Sequence, residues 1–296
     1  MNIESPRAVF HALRSYTGSS AYAEVLSPWL DGNADRLREQ LAPLSVHGGW
    51  RREVYVFGDL LEQAYALSRL NDVLLLGFQP SLPAGADQPW AHELHLDRPW
   101  PAVTVDQYLE TFAGLGATPI GARGFDPFFH EIVAVEQAAD PDAPIEIIDT
   151  LWPGLMLGEM LLSRAGVRVR AGIRHAEAGV ADESLLSEVF LRRYRDTQDQ
   201  SLGWGHNSQW KTDFRRDYLT GEAYHFNVDA DHDVDSAPIE PTDQRALLTA
   251  EERRDLLRHR CFVRTPENTA ARDGWCFDWR LSIPRTDRQG TDRSSV

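Results

Sequence analysis

Apolar residues recur every three or four positions in the first part of the chain, which is the spacing of one helix face. The pattern covers residues 21–30 and 34–44, and it returns between Val54 and Leu76. The last of these stripes is wide enough to pack against a second helix. We therefore expect residues 1–78 to form a helical segment.

The central part of the chain changes from a helical to a strand-like pattern. Residues 79–103, which are rich in Pro, Gly and Trp, predict a linker. A short helix should follow, because Thr104 and Gln107 have the spacing of a capping box. Short runs of β-type residues then alternate with Pro and Gly and predict a small β-domain, so that residues 104–172 form one unit. These runs are 131–137, 145–150 and 167–171.

The last part of the chain mixes both patterns, and residues 173–283 predict an α+β extension. Its expected elements are a helix over about 183–197 and a strand over 224–228. A further helix should begin at Thr249, whose capping partner is three residues later. We expect a disordered polar tail over 284–296. The expected fold class of the whole chain is therefore α+β.

Charge and cysteine content narrow the possible partners and the compartment. Lys and Arg number 30 against 45 Asp and Glu, so the 296-residue chain carries a net charge of −15. Such a chain repels phosphate groups, and we therefore expect neither nucleic acid nor a membrane as a partner. The two cysteines, Cys261 and Cys276, are too few for a disulfide framework. Because no signal-peptide pattern and no long apolar run is found, the sequence predicts a soluble cytoplasmic protein.

An ordered set of short motifs lies between Gly116 and Val169. The set consists of Phe125-Asp126-Pro127, His130-Glu131, the spacing Gly154-x-x-x-Gly158, and a closing strand with the pattern Ala165-x-Val167-x-Val169. In order and spacing it resembles the β-domain of the GrpE nucleotide exchange factors. The turn residues suit their positions, because proline fixes φ and aspartate caps a turn with its side chain. The motif positions that we expect to be structural are Phe125, Asp126, Pro127, His130, Glu131, Gly154 and Gly158.

The resemblance implies a non-enzymatic protein that assists a chaperone, that is, a chaperone cofactor. It also implies that this protein binds no metal or small-molecule cofactor. GrpE factors bind the ATPase domain of a DnaK-type chaperone, open its nucleotide cleft and promote release of ADP, and they form homodimers. Matching the family's contact positions assigns partner binding to Leu151, Leu155, Met156 and Val169. We expect these apolar side chains to be partly exposed, because exposed apolar groups usually mark a binding site.

The chain also departs from the family pattern. Arg164 precedes Ala165 where the family has proline before alanine, and residues 173–296 have no counterpart in the family. The long paired N-terminal helix of the family is not visible either. Only residues 21–44 and 54–76 could supply a shortened helical bundle for a homodimer.

An alternative hypothesis is a metal-dependent enzyme. His95 and Asp97 have the His-x-Asp spacing of two ligands in a non-haem iron site. On a strand the two side chains would share one face, as such a site requires. The spacing is common by chance, however, and the Pro and Trp residues around it favour a solvated loop.

Two further segments each have two interpretations. Residues 229–235 with Glu240 fit the spacing of a calcium loop, but Val234 stands where that loop needs glycine, so we expect an acidic surface loop. Residues 203–210 place polar amides between two tryptophans, with arginines one turn later. This segment could bind an anion or a peptide, or it could hold a buried tryptophan pair.

Overall fold

The structure, a computed structural model, describes residues 4–51, 59–78, 101–182, 215–235, 248–260, 262–264 and 279–285. The helices in these ranges are α1 (Pro6–Arg14), α2 (Ser27–Leu41), α3 (Asp59–Leu75), α4 (Val105–Gly114) and α5 (Ala250–His259). A π-helical turn at Tyr22–Leu26 leads into α2, and 3₁₀ turns follow at Ala42–Ser45 and Leu76–Phe78. The strands are β1 (Thr118–Pro119), β2 (His130–Gln137), β3 (Glu146–Trp152), β4 (Leu155–Leu157), β5 (Met160–Ser163), β6 (Ala165–Ala171), β7 (Tyr218–Leu219), β8 (Ala223–Phe226), β9 (His232–Asp233) and β10 (Trp279–Pro284). The fold is α+β, as the sequence predicts.

Side-chain caps determine where α4 and α5 begin. Thr104 Oγ1 accepts the backbone N–H of Gln107 at 3.2 Å, and Gln107 Oε1 accepts the N–H of Thr104 at 3.0 Å. Thr249 and Glu252 form the same reciprocal pair at the start of α5. Each pair satisfies two N–H groups that have no partner within the helix. Both predicted helix starts are confirmed.

Helix α3 lies in the interior of the helical layer. Its residues 64–67 and 69–75 are buried on every side of the helix, and α3 contacts α1, α2 and β5. The side chain of Asn71 accepts a hydrogen bond from the hydroxyl of Tyr108 in α4 at 2.7 Å and donates one to Ser163 Oγ in β5 at 3.1 Å. These two bonds fix α3 against α4 and β5. The described part of the apolar stripe predicted over 54–76 is therefore used for packing inside the chain. The homodimer stays a prediction.

The strands form two sheets. In the first, β6 lies between β2, which is parallel to it, and β3, which is antiparallel. The second has the order β1–β4–β5–β7–β8–β10–β9. The strand runs predicted from the sequence are confirmed by β2, β3, β6 and β8. Because Met160 of β5 pairs with Tyr218 of β7, the strands of the predicted β-domain and of the predicted extension share the second sheet.

Several predictions concern residues outside the described ranges. These are most of the linker, 79–100, the helix expected over 183–197, and the tail from residue 286. In the part of the chain that the structure describes, no helix combines the length and the apolar character that a membrane span needs.

The largest apolar cluster fills the space between the helices and the β4–β5 hairpin. Helices α1 to α4 contribute most of its residues, and Trp152, Leu155 and Leu157 close it from the sheets. Burial of one such side chain contributes about 1.5–3 kcal/mol to stability. The cluster therefore holds the hairpin firmly against the helical layer.

Gly154, which precedes β4, lies where two other parts of the chain approach closely. An added Cβ would lie 2.5 Å from Ile120 Cδ1 and 2.6 Å from the backbone nitrogen of Ala165. Gly154→Ala should therefore lower the free energy of unfolding by about 1–3 kcal/mol, which is the usual cost of overpacking. Urea unfolding followed by tryptophan fluorescence measures this change.

Gly121→Ala is the matched control, because a Cβ added there meets nothing within 4 Å. Its free energy of unfolding should stay within about 0.5 kcal/mol of the wild-type value. Equal stability of the two variants would contradict the close approach at Gly154.

Candidate partner-binding surface

The Phe-Asp-Pro and His-Glu motifs form the turn that leads into β2. Asp126 Oδ1 accepts the backbone N–H of Phe128 at 2.8 Å, which is the side-chain cap expected of this turn. His130 Nδ1 lies 3.0 Å from both the backbone nitrogen and the backbone oxygen of Asp126. Burial lowers the pKa of His130, so its ring is neutral near neutral pH. The ring packs against Phe125, and Glu131 beside it is also buried. These positions agree with a structural role for the motif.

The β4–β5 hairpin has a turn of two residues, Gly158 and Glu159. Gly158 has a φ of +57°, which glycine adopts without strain and which a type II′ turn requires at this position. An added Cβ would lie 2.4 Å from the backbone oxygen of Ser45. The N–H of Glu159 donates to the same oxygen at 2.7 Å. The hairpin turn is therefore covered by the N-terminal part of the chain.

Two of the four predicted contact residues are buried. Val169 is 0% exposed and Leu155 is 1% exposed, so the expected partial exposure is wrong for both. Leu151 and Met156 are half-buried. Side chains alternate along a strand, and Val169 shares its face of β6 with the buried Val167. This face of β6 therefore points into the protein. The contact with a chaperone stays a prediction.

Residues beyond the closing strand supply much of this cover. Val169 belongs to an apolar cluster with Ala176, Ala181 and Val263. Met156 packs against a second cluster, whose members from the C-terminal part of the chain are Phe226, Val234, Leu257, Trp279 and Leu281. The predicted extension therefore occupies the side of the β-domain on which Val169 and Met156 lie.

Arg164, where the chain departs from the family pattern, joins the β-domain to the extension. Its side chain is 2% exposed. The guanidinium group donates to the backbone oxygens of Phe128 at 3.1 Å, Arg258 at 2.9 Å and His259 at 3.3 Å. The last two oxygens end α5, where carbonyl groups lack helical partners and carry partial negative charge. A proline at this position could make none of these contacts.

Asp217 is a fully buried carboxylate in contact with three arginines. It accepts hydrogen bonds from Arg215 at 2.8 Å and Arg260 at 3.0 Å. Arg164 lies 3.6 Å away, and the backbone N–H of Asn227 donates to the carboxylate at 2.8 Å. Burial alone would raise the pKa of Asp217, but the three guanidinium groups outweigh burial and hold the pKa well below its usual value. The carboxylate is therefore ionised at neutral pH.

The outer side of the three-stranded sheet has a different character. On β6, Arg168 and Arg170 are exposed; Arg168 pairs in register with Asp149, and Arg170 forms an ion pair with Glu136 at 2.6 Å. Ile148, at an irregularity in β3, is 40% exposed. We call these five residues the outward sheet face. All five side chains are exposed in the described structure.

The other sequence candidates lie elsewhere. His95 and Asp97, the ligands of the metal hypothesis, and residues 203–210 lie outside the described ranges. In the loop 229–235, Asp229 forms an ion pair with Arg216 at 2.6 Å, and Asp235 forms one with Arg254 at 2.7 Å. No group of three or more His, Cys, Asp or Glu side chains is placed to hold a metal ion within the described residues.

Comparisons of the chain with protein-family models, with curated proteins and with solved structures found no match. Sequence reasoning did not find the ion cluster around Asp217. The departure at Arg164 was visible as an exception to the motif, but its partners are far away in the sequence. No local pattern marked Asp217 itself.

Asp217→Asn should lower the free energy of unfolding by about 3–5 kcal/mol, because it removes the buried charge that faces the buried Arg164 and the partly buried Arg215 and Arg260. A carboxyl group whose pKa is depressed by folding contributes stability above its unfolded pKa and loses it as the pH falls. The difference between wild type and variant should therefore be constant above about pH 5 and shrink below about pH 4. Urea unfolding at a series of pH values measures it.

The control for this substitution is Asp231→Asn, at an exposed carboxylate in the same part of the chain. It should change the free energy of unfolding by less than about 0.5 kcal/mol. If Asp217→Asn is as stable as this control, Asp217 does not organise the cluster.

Proposed function

We propose that this chain is a non-enzymatic chaperone cofactor of the GrpE type, which binds the ATPase domain of a DnaK-type chaperone and promotes release of ADP. The ordered motif between residues 116 and 169 carries this proposal, because several of its positions have defined structural tasks in the two sheets. Asp126 caps a turn and Gly158 permits a tight hairpin. Agreement between motif, local geometry and fold supports the resemblance more strongly than any single motif.

The proposed activity requires only differential binding. A cofactor that prefers the open form of a nucleotide cleft must weaken ADP binding by the same coupling free energy. No covalent step is involved, and the cofactor needs no nucleotide site of its own. The residues that matter are therefore those of a contact surface.

The outward sheet face is the proposed contact surface. Ile148 is its apolar member and lies in the edge strand β3, three residues before the half-buried Leu151. Asp149 follows it in the same strand, and Arg168 pairs with Asp149 from β6. An apolar contact residue with charged groups at its rim is common at contact sites, where a few residues carry most of the binding energy.

The same proposal includes a homodimer. Because α3 is used inside the chain, a dimer would need a surface other than the stripe over 54–76. Sedimentation velocity at micromolar concentration should show a dimer, and a monomer at all concentrations would remove this part of the proposal.

Exchange activity is tested with the full-length protein and a purified DnaK-type chaperone that is loaded with fluorescent ADP. We expect the chain to accelerate ADP release at least tenfold when excess unlabelled nucleotide is added. Ile148→Asp should weaken the apparent affinity at least tenfold, since a charge replaces the apolar contact (about 1.4 kcal/mol or more).

Val46→Asp is the matched control, because Val46 is 53% exposed and lies outside the outward sheet face. It should exchange nucleotide like the wild type. Absence of any acceleration at saturating wild-type protein would refute the function. Normal exchange by Ile148→Asp would refute only the assignment of the surface.

A further inference from the structure

Three parts of the chain meet at the tip of the β4–β5 hairpin. Ser45 O accepts the N–H of Glu159 at 2.7 Å, and Glu159 Oε2 accepts the N–H of His47 at 2.8 Å. On the other side, the N–H of Leu219 in β7 donates to Glu159 O at 2.8 Å. The hairpin tip therefore contacts the N-terminal loop 45–49 on one side and strand β7 of its own sheet on the other.

Two histidines form a face-to-face contact beside this tip. The rings of His47 and His225 are 4.1 Å apart between centroids and inclined by only 9°. His225 lies in β8 between its register partners Tyr218 of β7 and Ser282 of β10, and its Nδ1 lies 3.0 Å from Ser282 Oγ. The edge of Tyr218 also contacts His47, at 5.3 Å between centroids. We call His47 and His225 the histidine stack.

One carboxylate faces the histidine stack. Among the described residues, the titratable groups that face it are Glu159 from the hairpin and Tyr218 from β7. Burial raises the pKa of Tyr218, whose hydroxyl accepts a hydrogen bond from Arg216 at 2.9 Å, so Tyr218 adds no negative charge. Burial and the stacked ring of His47 both oppose a proton on His225, and Glu159 favours it.

We infer that the histidine stack is an acid-sensitive contact, which holds loop 45–49 on the hairpin tip at neutral pH and releases it when His225 gains a positive charge against the face of His47. Trp50, just after the loop, has contacts of its own. Arg216 donates to Trp50 O at 3.4 Å and is itself paired with Asp229 at 2.6 Å. These contacts anchor the chain on the C-terminal side of loop 45–49.

The direction of the pH dependence follows from His225. Burial lowers the pKa of His225 and the neighbouring His47 lowers it further, while Glu159 opposes them. A histidine whose pKa is lowered in the closed form binds a proton more readily in the open form. The closed form is therefore fully stable above about pH 6.5, the usual pKa of histidine, and loses stability as the pH falls below it. The inference does not depend on the proposed function, because all of these groups belong to this chain.

Hydrogen exchange of the full-length protein measures this release directly. The N–H groups of His47 and Glu159 report on the hairpin tip. The N–H of Ala165, which donates to Phe129 O at 2.8 Å, is a reference elsewhere in the β-domain. Between about pH 7.5 and pH 5.5, after correction for intrinsic exchange, protection at the tip should fall about tenfold while the reference stays constant.

Two variants test whether the histidine stack carries the pH dependence. His47→Gln removes one ring of the stack and should abolish the pH dependence of protection at Glu159. His175→Gln, at an exposed histidine outside the contact, should retain it. The inference is overturned if wild-type protection at the tip does not change with pH, if His47→Gln keeps the loss, or if Ala165 loses protection by the same factor.

Discussion

The carboxylate of Asp217 is the group on which the C-terminal half of the described structure depends. A buried charge is costly unless opposite charges and hydrogen bonds surround it. Asp217 has both, from Arg164, Arg215 and Arg260 and from the N–H of Asn227. Arg164 belongs to the β-domain and Arg215 to the segment that precedes β7. Arg260 caps α5, and Asn227 follows β8. Because all of them must reach one carboxylate, a single ion cluster determines how these segments lie against one another.

The position of Arg164 links this cluster to the departure from the family pattern. Its guanidinium group satisfies the terminal carbonyl groups of α5 and so fixes that helix beside the β-domain. Residues beyond 172 contribute to the apolar cluster that buries Val169. Since side chains alternate along β6, Arg168 and Arg170 point to the opposite side and stay exposed. The face of β6 that carries Val169 is thus covered, and the face that carries the arginines is exposed.

The hairpin tip shows a similar relation between motif and context. The glycine at Gly158 gives the turn its conformation, and the space beside it is filled by the backbone of Ser45. Glu159 then contacts the N-terminal loop and β7 at once. A turn that the family resemblance would leave near a partner is here enclosed by its own chain. The tip is therefore packed on both sides by this chain, and we infer that the histidine stack makes this internal packing sensitive to pH.

The sequence by itself determined the local features and, through them, the α+β class. The capping boxes at Thr104 and Thr249 depend on residues only a few positions apart, and so does the alternation within each strand. Only the tertiary structure decided that Val169 is buried, because alternation assigns a residue to a face of the strand but not to the segment that covers that face. The same holds for Asp217, whose charge partners come from separate parts of the chain. Burial and ion pairing are set by contacts between segments distant in sequence, and no local pattern contains that information.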